Sequence, residues 1–332
     1  MQILFKRFLR GPICEEGLSV RPIPEYEPVG RLCLSFVEEF FNSRFRYGRA
    51  IAEMAKAALD LVEVEIFVSG EDRPVLEDEL REAGVDPGSV KMNMDSPGRG
   101  ILAEYMPVFC RDARGRPRGL VFPVDGLDLR DEVLDFAGRF LGSLGVEPLR
   151  MDSSFTTARL AVNEDLCLVA GGEGLEGALA FLQETFDEMD VRGVSPLAGD
   201  ITRDLDMFLW PAVPGTWLVS EYPRGTEQAE SVEQSVRVIR EHGHRVLRLP
   251  GLEHIREADV NTMPNYANGV LVNGRALYPA YGRPEDGVVE ELLDSLGLEP
   301  VPIDSSSIIL TQSGPHCISK TVPAAIGQTA GG

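Results

Sequence analysis

TWLVSEYPRGTEQAESVEQSVRVIREHGHRVLRLP, residues 216–250, carries the pattern from which the rest of the chain can be read. TWLVSEY (216–222) has the composition of a strand, EQAESVEQSVRVIREHG (227–243) that of an amphipathic helix, and HRVLRLP (244–250) that of a second strand. The same order recurs on both sides. Upstream, RLCLSF (31–36) is followed by a helical stretch that includes YGRAIAEMAKAALDLV (47–62), whose apolar residues fall three and four apart. The strand EVEIFVSG (63–70) and a short helix, EDRPVLEDELREAG (71–84), come next, with Gly70 and Gly84 as their stops. LVFPV (120–124) precedes the helix DEVLDFAGRFLGSLG, and ARLAV with DLCLVA (158–170) precedes LEGALAFLQETFDEM. Downstream, VLVNGRALYP (270–279) leads into EDGVVEELLDSLG and then EPVPID. Each cycle takes about 40 to 70 residues, longer than most tabulated repeats. The expected class is therefore α/β with repeated modules, a pattern shared by an open doubly wound sheet and a closed ring of modules.

Composition narrows the function. The 332 residues hold 53 acidic and 32 basic side chains, a formal charge of −21 that repels phosphate backbones and anionic membrane faces. No nucleic-acid or membrane partner is expected. A cationic substrate is compatible with that balance, although a solubilising acidic surface accounts for it first. The start of the chain lacks an apolar run long enough for a signal sequence, and no later stretch approaches the roughly 18 apolar residues of a membrane span. The 5 cysteines have no CxxC spacing, which argues against a disulfide framework and a zinc cage and for a reduced, cytoplasmic setting. Without an internal linker, the division expected is a lead-in over 1–20, a single catalytic domain over 21–325 and a flexible tail over 326–332. No strand is followed by GxGxxG or GxxxxGK; GGEG at 171–174 is the nearest approach and reads as a turn.

The chemistry concentrates in the tail, IDSSSIILTQSGPHCISKTVP (303–323). Cys317 follows a Gly-Pro-His run in a polar setting suited to a nucleophilic thiolate, whereas Cys33, Cys110 and Cys167 sit in apolar strands as core residues. Gly314, His316, Cys317, Ile318 and Ser319 resemble the nucleophile signature of agmatine deiminases and the bacterial peptidylarginine deiminase-like proteins. Tyr266, Asn268, Asn273, Gly274, Pro279, Tyr281, Gly282 and Asp286 are similar to a second segment of that family, and IPEYEPVGRLCLSF (23–36) to its opening.

This resemblance to the guanidino-group-modifying pentein superfamily implies a five-bladed α/β propeller of ββαβ modules around a central site. It implies a small cationic guanidine substrate such as agmatine or an arginine derivative, attacked by Cys317 to give an amidino-thioether. It nominates Asp112, in FCRDARG, and Asp206, in GDITRDLDMF, as the carboxylates that hold the cation, with Asp152 as a further candidate. Two anions can match the planar guanidinium fork with paired hydrogen bonds. No metal or organic cofactor is needed, since a thiolate, a proton carrier and carboxylate anchors suffice.

One departure bears on the mechanism. Where the family has its acid/base histidine, two residues before the carboxylate, this chain has Asp204. Two close carboxylates resist joint ionisation, so Asp204 beside Asp206 could keep a proton and act as the acid. Of the histidines, His316 points away from Cys317 if that segment is extended. His242 and His244 end a helix, where the dipole accounts for them, and His254 lies in a loop. Three readings stand: a deiminase-type hydrolase, a pentein-fold binding protein that has lost hydrolysis, and an amidinotransferase. An oligomer is compatible with each.

Overall fold

The computed structural model describes residues 19–37, 47–95, 102–124, 130–151, 154–172, 176–257 and 260–327. The lead-in up to residue 18 and the tail from 328 lie outside them, as do Cys14 and Asp152.

From the N-terminal side, β1 (Val20–Pro22) precedes β2 (Val29–Phe36), α1 (Tyr47–Ala58), β3 (Glu63–Val68), α2 (Arg73–Glu82) and β4 (Lys91–Asn93). β5 (Val108–Asp112) and β6 (Pro117–Val121) then lead into α3 (Arg130–Ser143) and β7 (Glu147–Arg150). β8 (Leu160–Asn163) and β9 (Leu166–Ala170) lead into α4 (Glu176–Thr185) and β10 (Asp190–Val194). The quoted stretch supplies β12 (Thr216–Ser220), α5 (Glu227–Glu241) and β13 (Arg245–Leu249), preceded by β11 (Leu209–Val213). A ribbon of β14 (Ile255–Glu257) and β15 (Val260–Thr262) comes next. β16 (Val270–Val272), β17 (Arg275–Ala280), α6 (Pro284–Ser295) and β18 (Glu299–Asp304) follow, before the closing β19 (Ser319–Pro323) and α7 (Ala324–Gly327).

Five sheets share one plan. A first strand pairs antiparallel with a second, which pairs parallel with a third across a helix: β5-β6-β7, β8-β9-β10, β11-β12-β13 and β16-β17-β18. Such a parallel step requires a crossover, and the amphipathic helices supply it. In the remaining sheet of this plan the last strand of the chain plays the first part: β19 lies antiparallel to β2, with Ser319 opposite Leu34, and β2 runs parallel to β3. The segment that carries Cys317 is thus fixed by the strand that opens the chain's first module.

Local chemistry explains the joints. Asn273 and Gly274 make the β16–β17 hairpin with φ of 48° and 91°, the left-handed pair that Asn-Gly adopts most easily. The Asn273 side chain then accepts from Val29 N at 2.8 Å and donates to Val29 O at 3.0 Å, tying this hairpin to β2. On α1 the three-and-four spacing buries Tyr47, Ile51, Met54, Ala55 and Ala58 against β2 and β3. Cys33, Cys110 and Cys167 are fully buried within strands, and burial pushes their thiols well above the ordinary range, as inert core cysteines.

Candidate active site

Cys317 sits in a turn just before β19, where Ile318 N donates to Gly314 O at 3.3 Å and Ser319 N to His316 O at 3.0 Å. The segment is therefore not extended, and His316 and Cys317 do not face apart; both side chains reach Asp206. Asn268 holds the turn. Its Oδ1 accepts from His316 N at 3.0 Å and Cys317 N at 3.2 Å, while its Nδ2 donates to Cys317 Sγ at 3.1 Å. Asn268 is itself set by Asn265, whose Oδ1 accepts the amides of Ala267 and Asn268, each at 3.0 Å. Asp286, in the first turn of α6, accepts from Tyr266 Oη at 2.6 Å and from Tyr281 N at 3.1 Å, anchoring the same loop to the helix. A Cβ on Gly314 would stand 2.5 Å from Asn268 Oδ1. Gly314→Ala is therefore expected to displace Asn268, cost about 1–3 kcal/mol and loosen the Cys317 turn, measurable as a lower denaturation midpoint together with altered thiol reactivity.

Asp206 lies on the short turn Leu205–Met207. Its Oδ2 is 2.8 Å from His316 Nδ1 and accepts from Cys317 Sγ at 3.5 Å; its Oδ1 is buried and has no hydrogen-bond partner among the described residues. Asp204 is buried two residues away, with Oδ1 3.3 Å from Thr156 Oγ1 and 3.7 Å from Arg159 Nε. Burial first, then the charges of Asp206 and Glu104, push its carboxyl well above the usual range. Burial, followed by Asp206 and Asp204, likewise pushes the Cys317 thiol well up.

On its other side His316 meets Glu25, Nε2 to Oε2 at 2.9 Å, and Lys320 Nζ stands 3.5 Å from Glu25 Oε1. Burial alone would lower the imidazole, but Glu25 and Asp206 outweigh it and raise it from 6.5 to about 10. Burial would raise Glu25, but His316 and Lys320 outweigh it and hold the carboxyl at about 2. Glu25, Asp206, His316 and Lys320 face one cavity. Its remaining wall comes largely from the first strands of the sheets, including Val108, Ala161, Trp210 and Thr321; Cys317 is not among its lining residues but contacts Asp206, which is.

The other expected positions fall elsewhere. Asp112 closes the β5–β6 hairpin: Oδ1 accepts from Arg114 N and Arg116 N, each at 2.9 Å, and Oδ2 pairs with Arg116 at 2.8 Å and Arg118 at 3.4 Å. A carboxylate so occupied has no oxygen left for a guanidinium, and the anchoring role expected of Asp112 finds no support in its geometry. Asp152 lies outside the described residues, and His254 lies in the loop before β14. His242 caps α5, with Nδ1 3.2 Å from Asp190 and Nε2 3.0 Å from Asp165. His244 Nε2 is 3.4 Å from that same Asp165, which brings ligand atoms of Asp165, His242 and His244 within 4.8 Å of one another, the spacing of a metal site. Trp217 Nε1–H, however, donates to His244 Nδ1 at 3.0 Å, which leaves the proton of the neutral ring on Nε2 and no lone pair there for a metal. The cluster instead joins the end of α5 to the β8–β9 turn.

Superposition on solved structures decides the fold. An agmatine deiminase of C. jejuni matches with a TM-score of 0.79 over 93% of this chain and 98% of its own, at 15% identity. This is the fold of the agmatine deiminases. The agmatine deiminase of Enterococcus faecalis matches at 0.78 over 93% and 98%, with 15% identity. A dimethylarginine dimethylaminohydrolase, DDAH from Pseudomonas aeruginosa, matches at 0.53 over 89% and 100%, with 12% identity. Residues 218–323 fit the model of the Porphyromonas-type peptidyl-arginine deiminase family, and no curated protein sequence matches the chain. The resemblance to the penteins read from the tail is borne out by these matches. No described helix is long and apolar enough to cross a membrane.

Within the deiminase fold, two members of the constellation were quoted from the sequence without being given roles. Glu25 stood in IPEYEPVG and Asn268 in PNYANG; the signal available was their place in the family-like segments, and what they touch required the fold.

Proposed function

We propose that this protein is a cysteine-dependent hydrolase of the deiminase type, cleaving a C–N bond of a small guanidine such as agmatine or an arginine derivative. The observation that carries the reading is Asp206 Oδ1, a buried carboxylate oxygen without a partner among the described residues, on the residue that also accepts from the Cys317 thiol. A guanidinium N–H satisfies that oxygen, and its positive charge offsets the carboxylates that keep the thiol protonated. As the cation binds, the Cys317 thiol releases its proton to solvent and the thiolate attacks the guanidinium carbon; as the C–N bond breaks, Asp204 gives its proton to the departing amine. Water adds to the amidino-thioether, the Asp204 carboxylate takes a proton from it, and the C–S bond breaks to leave a ureido product and the free thiol. Asp206 is the cation anchor in this scheme, and no cofactor enters it. The five sheets of common plan read as blades of a closed propeller, supported by a cavity whose wall draws on the first strands of four of them.

The substrate class is supported by the deiminases this chain is similar to, including a C. jejuni agmatine deiminase solved with substrate bound. A second reading, a binding protein that holds the cation without turnover, is favoured by Asp204 standing where the family pattern has histidine. Ammonia and ureido-product release from agmatine, arginine, an arginyl peptide and methylated guanidines separates the two. The hydrolase turns over one of these, and Asp204→Asn lowers kcat about 10²–10⁴-fold by removing the acid. Absence of turnover across the panel, with binding retained, replaces it by the second reading.

A further inference from the structure

We propose that Glu25 is a positioning residue for this site, acting through His316 to lock the Asp206 carboxylate with Oδ2 engaged and Oδ1 left for the ligand; the role rests on the hydrolase reading above. Both imidazole nitrogens of His316 face carboxylate oxygens, Nδ1 toward Asp206 at 2.8 Å and Nε2 toward Glu25 at 2.9 Å. A neutral imidazole has one N–H, so it would set a lone pair against one of these oxygens; only the imidazolium donates to both. The groups facing the ring come from every side. Glu25 lies on the segment before β2, Asp206 on the 205–207 turn with Asp204 beside it, Cys317 adjoins the ring in the chain, and Lys320 of β19 reaches Glu25 at 3.5 Å. Glu25 and Asp206 as anions balance His316 and Lys320 as cations. The ring contact spans 291 residues of sequence, so it ties the opening segment of the chain to the tail at the reacting group.

The outcome is a site whose anchor does not depend on substrate for its orientation. With Glu25 neutralised, the imidazolium is held by Asp206 alone and gives up its proton at lower pH, so the positive charge facing Asp206 Oδ2 is less firmly kept. Asp206 then attracts the thiol proton more strongly and holds its orientation less firmly.

The test uses the full chain with labelled histidine, whose 4 rings are few enough to assign with His316→Gln. In the native protein the His316 ring is expected to stay protonated past pH 9, losing its proton near the value of about 10. In Glu25→Gln its midpoint is expected at least one unit lower, with the pH profile of Cys317 alkylation moving in step. For the substrate found above, kcat/KM is expected to fall about 10–100-fold in Glu25→Gln, with partial recovery in Glu25→Asp. A native ring titrating near 6.5 overturns the role, and needs no variant to fold. So does a Glu25→Gln protein whose ring midpoint and alkylation profile match the parent's. If no guanidine is turned over while the ring titration behaves as expected, the hydrolase reading fails and the Glu25–His316–Asp206 lock stands.

Discussion

Cys317→Ala is expected to abolish turnover of the guanidine substrate, a loss of at least about 10⁴-fold in kcat, the scale on which removing a covalent nucleophile acts. The loss is specific to this cysteine. Cys33, Cys110 and Cys167 are locked inside strands with thiols pushed far up chiefly by burial, whereas the raised thiol of Cys317 has Asp206 as acceptor and Asn268 as donor. A bound guanidinium removes part of what raises it, namely the field of Asp206, which is absent around the other three. Parallel substitutions at Cys33, Cys110 and Cys167 are therefore expected to change stability and spare kcat. Product assays on the four variants, alongside denaturation midpoints, check both halves.

The second large effect is expected at Asp206→Asn, and it carries two opposite signs. Asp206 balances His316 and is the oxygen donor proposed for the substrate cation. Removing its charge leaves a buried imidazolium short of one partner, costing about 3–5 kcal/mol of stability, and turns the site against a guanidinium, so kcat/KM falls by about a thousandfold or more. The same change takes away the largest charge effect that disfavours the thiolate, second only to burial, so Cys317 ionises at lower pH. Alkylation of Cys317 at pH 7 to 8 should accordingly run faster in Asp206→Asn than in the parent while turnover collapses. Slower alkylation, or an unchanged profile, would mean that the Asp206 charge does not control the thiol.

Much of this was legible in the residues. The alternation of apolar strand and amphipathic helix in residues 216–250 reappears as β12, α5 and β13, and EPVPID as β18, because crossover helices between parallel strands must bury one face and the strands both. The Asn273-Gly274 hairpin follows from backbone chemistry alone. What was not legible depends on long-range meetings. Nothing local says that β19 closes onto β2, or that Glu25 meets His316, since neither residue's neighbours in sequence differ from those of a surface ion pair. Asp112 shows the same limit: an Asp beside Arg at the end of a strand looks alike in sequence whether it anchors a ligand or gathers the amides of its own hairpin, as Asp112 does. His316 would point away from Cys317 only in an extended segment, and the turn from Gly314 to Ser319 instead brings both to Asp206.

The covalent step is the centre of the account, and trapping it is the most direct trial. Protein quenched in acid during turnover of the active guanidine, then digested and mapped by mass spectrometry, should carry the substrate's amidino group on the peptide containing Cys317 and on no other cysteine peptide. Turnover that proceeds with no adduct at Cys317, and persists in Cys317→Ala, would contradict it.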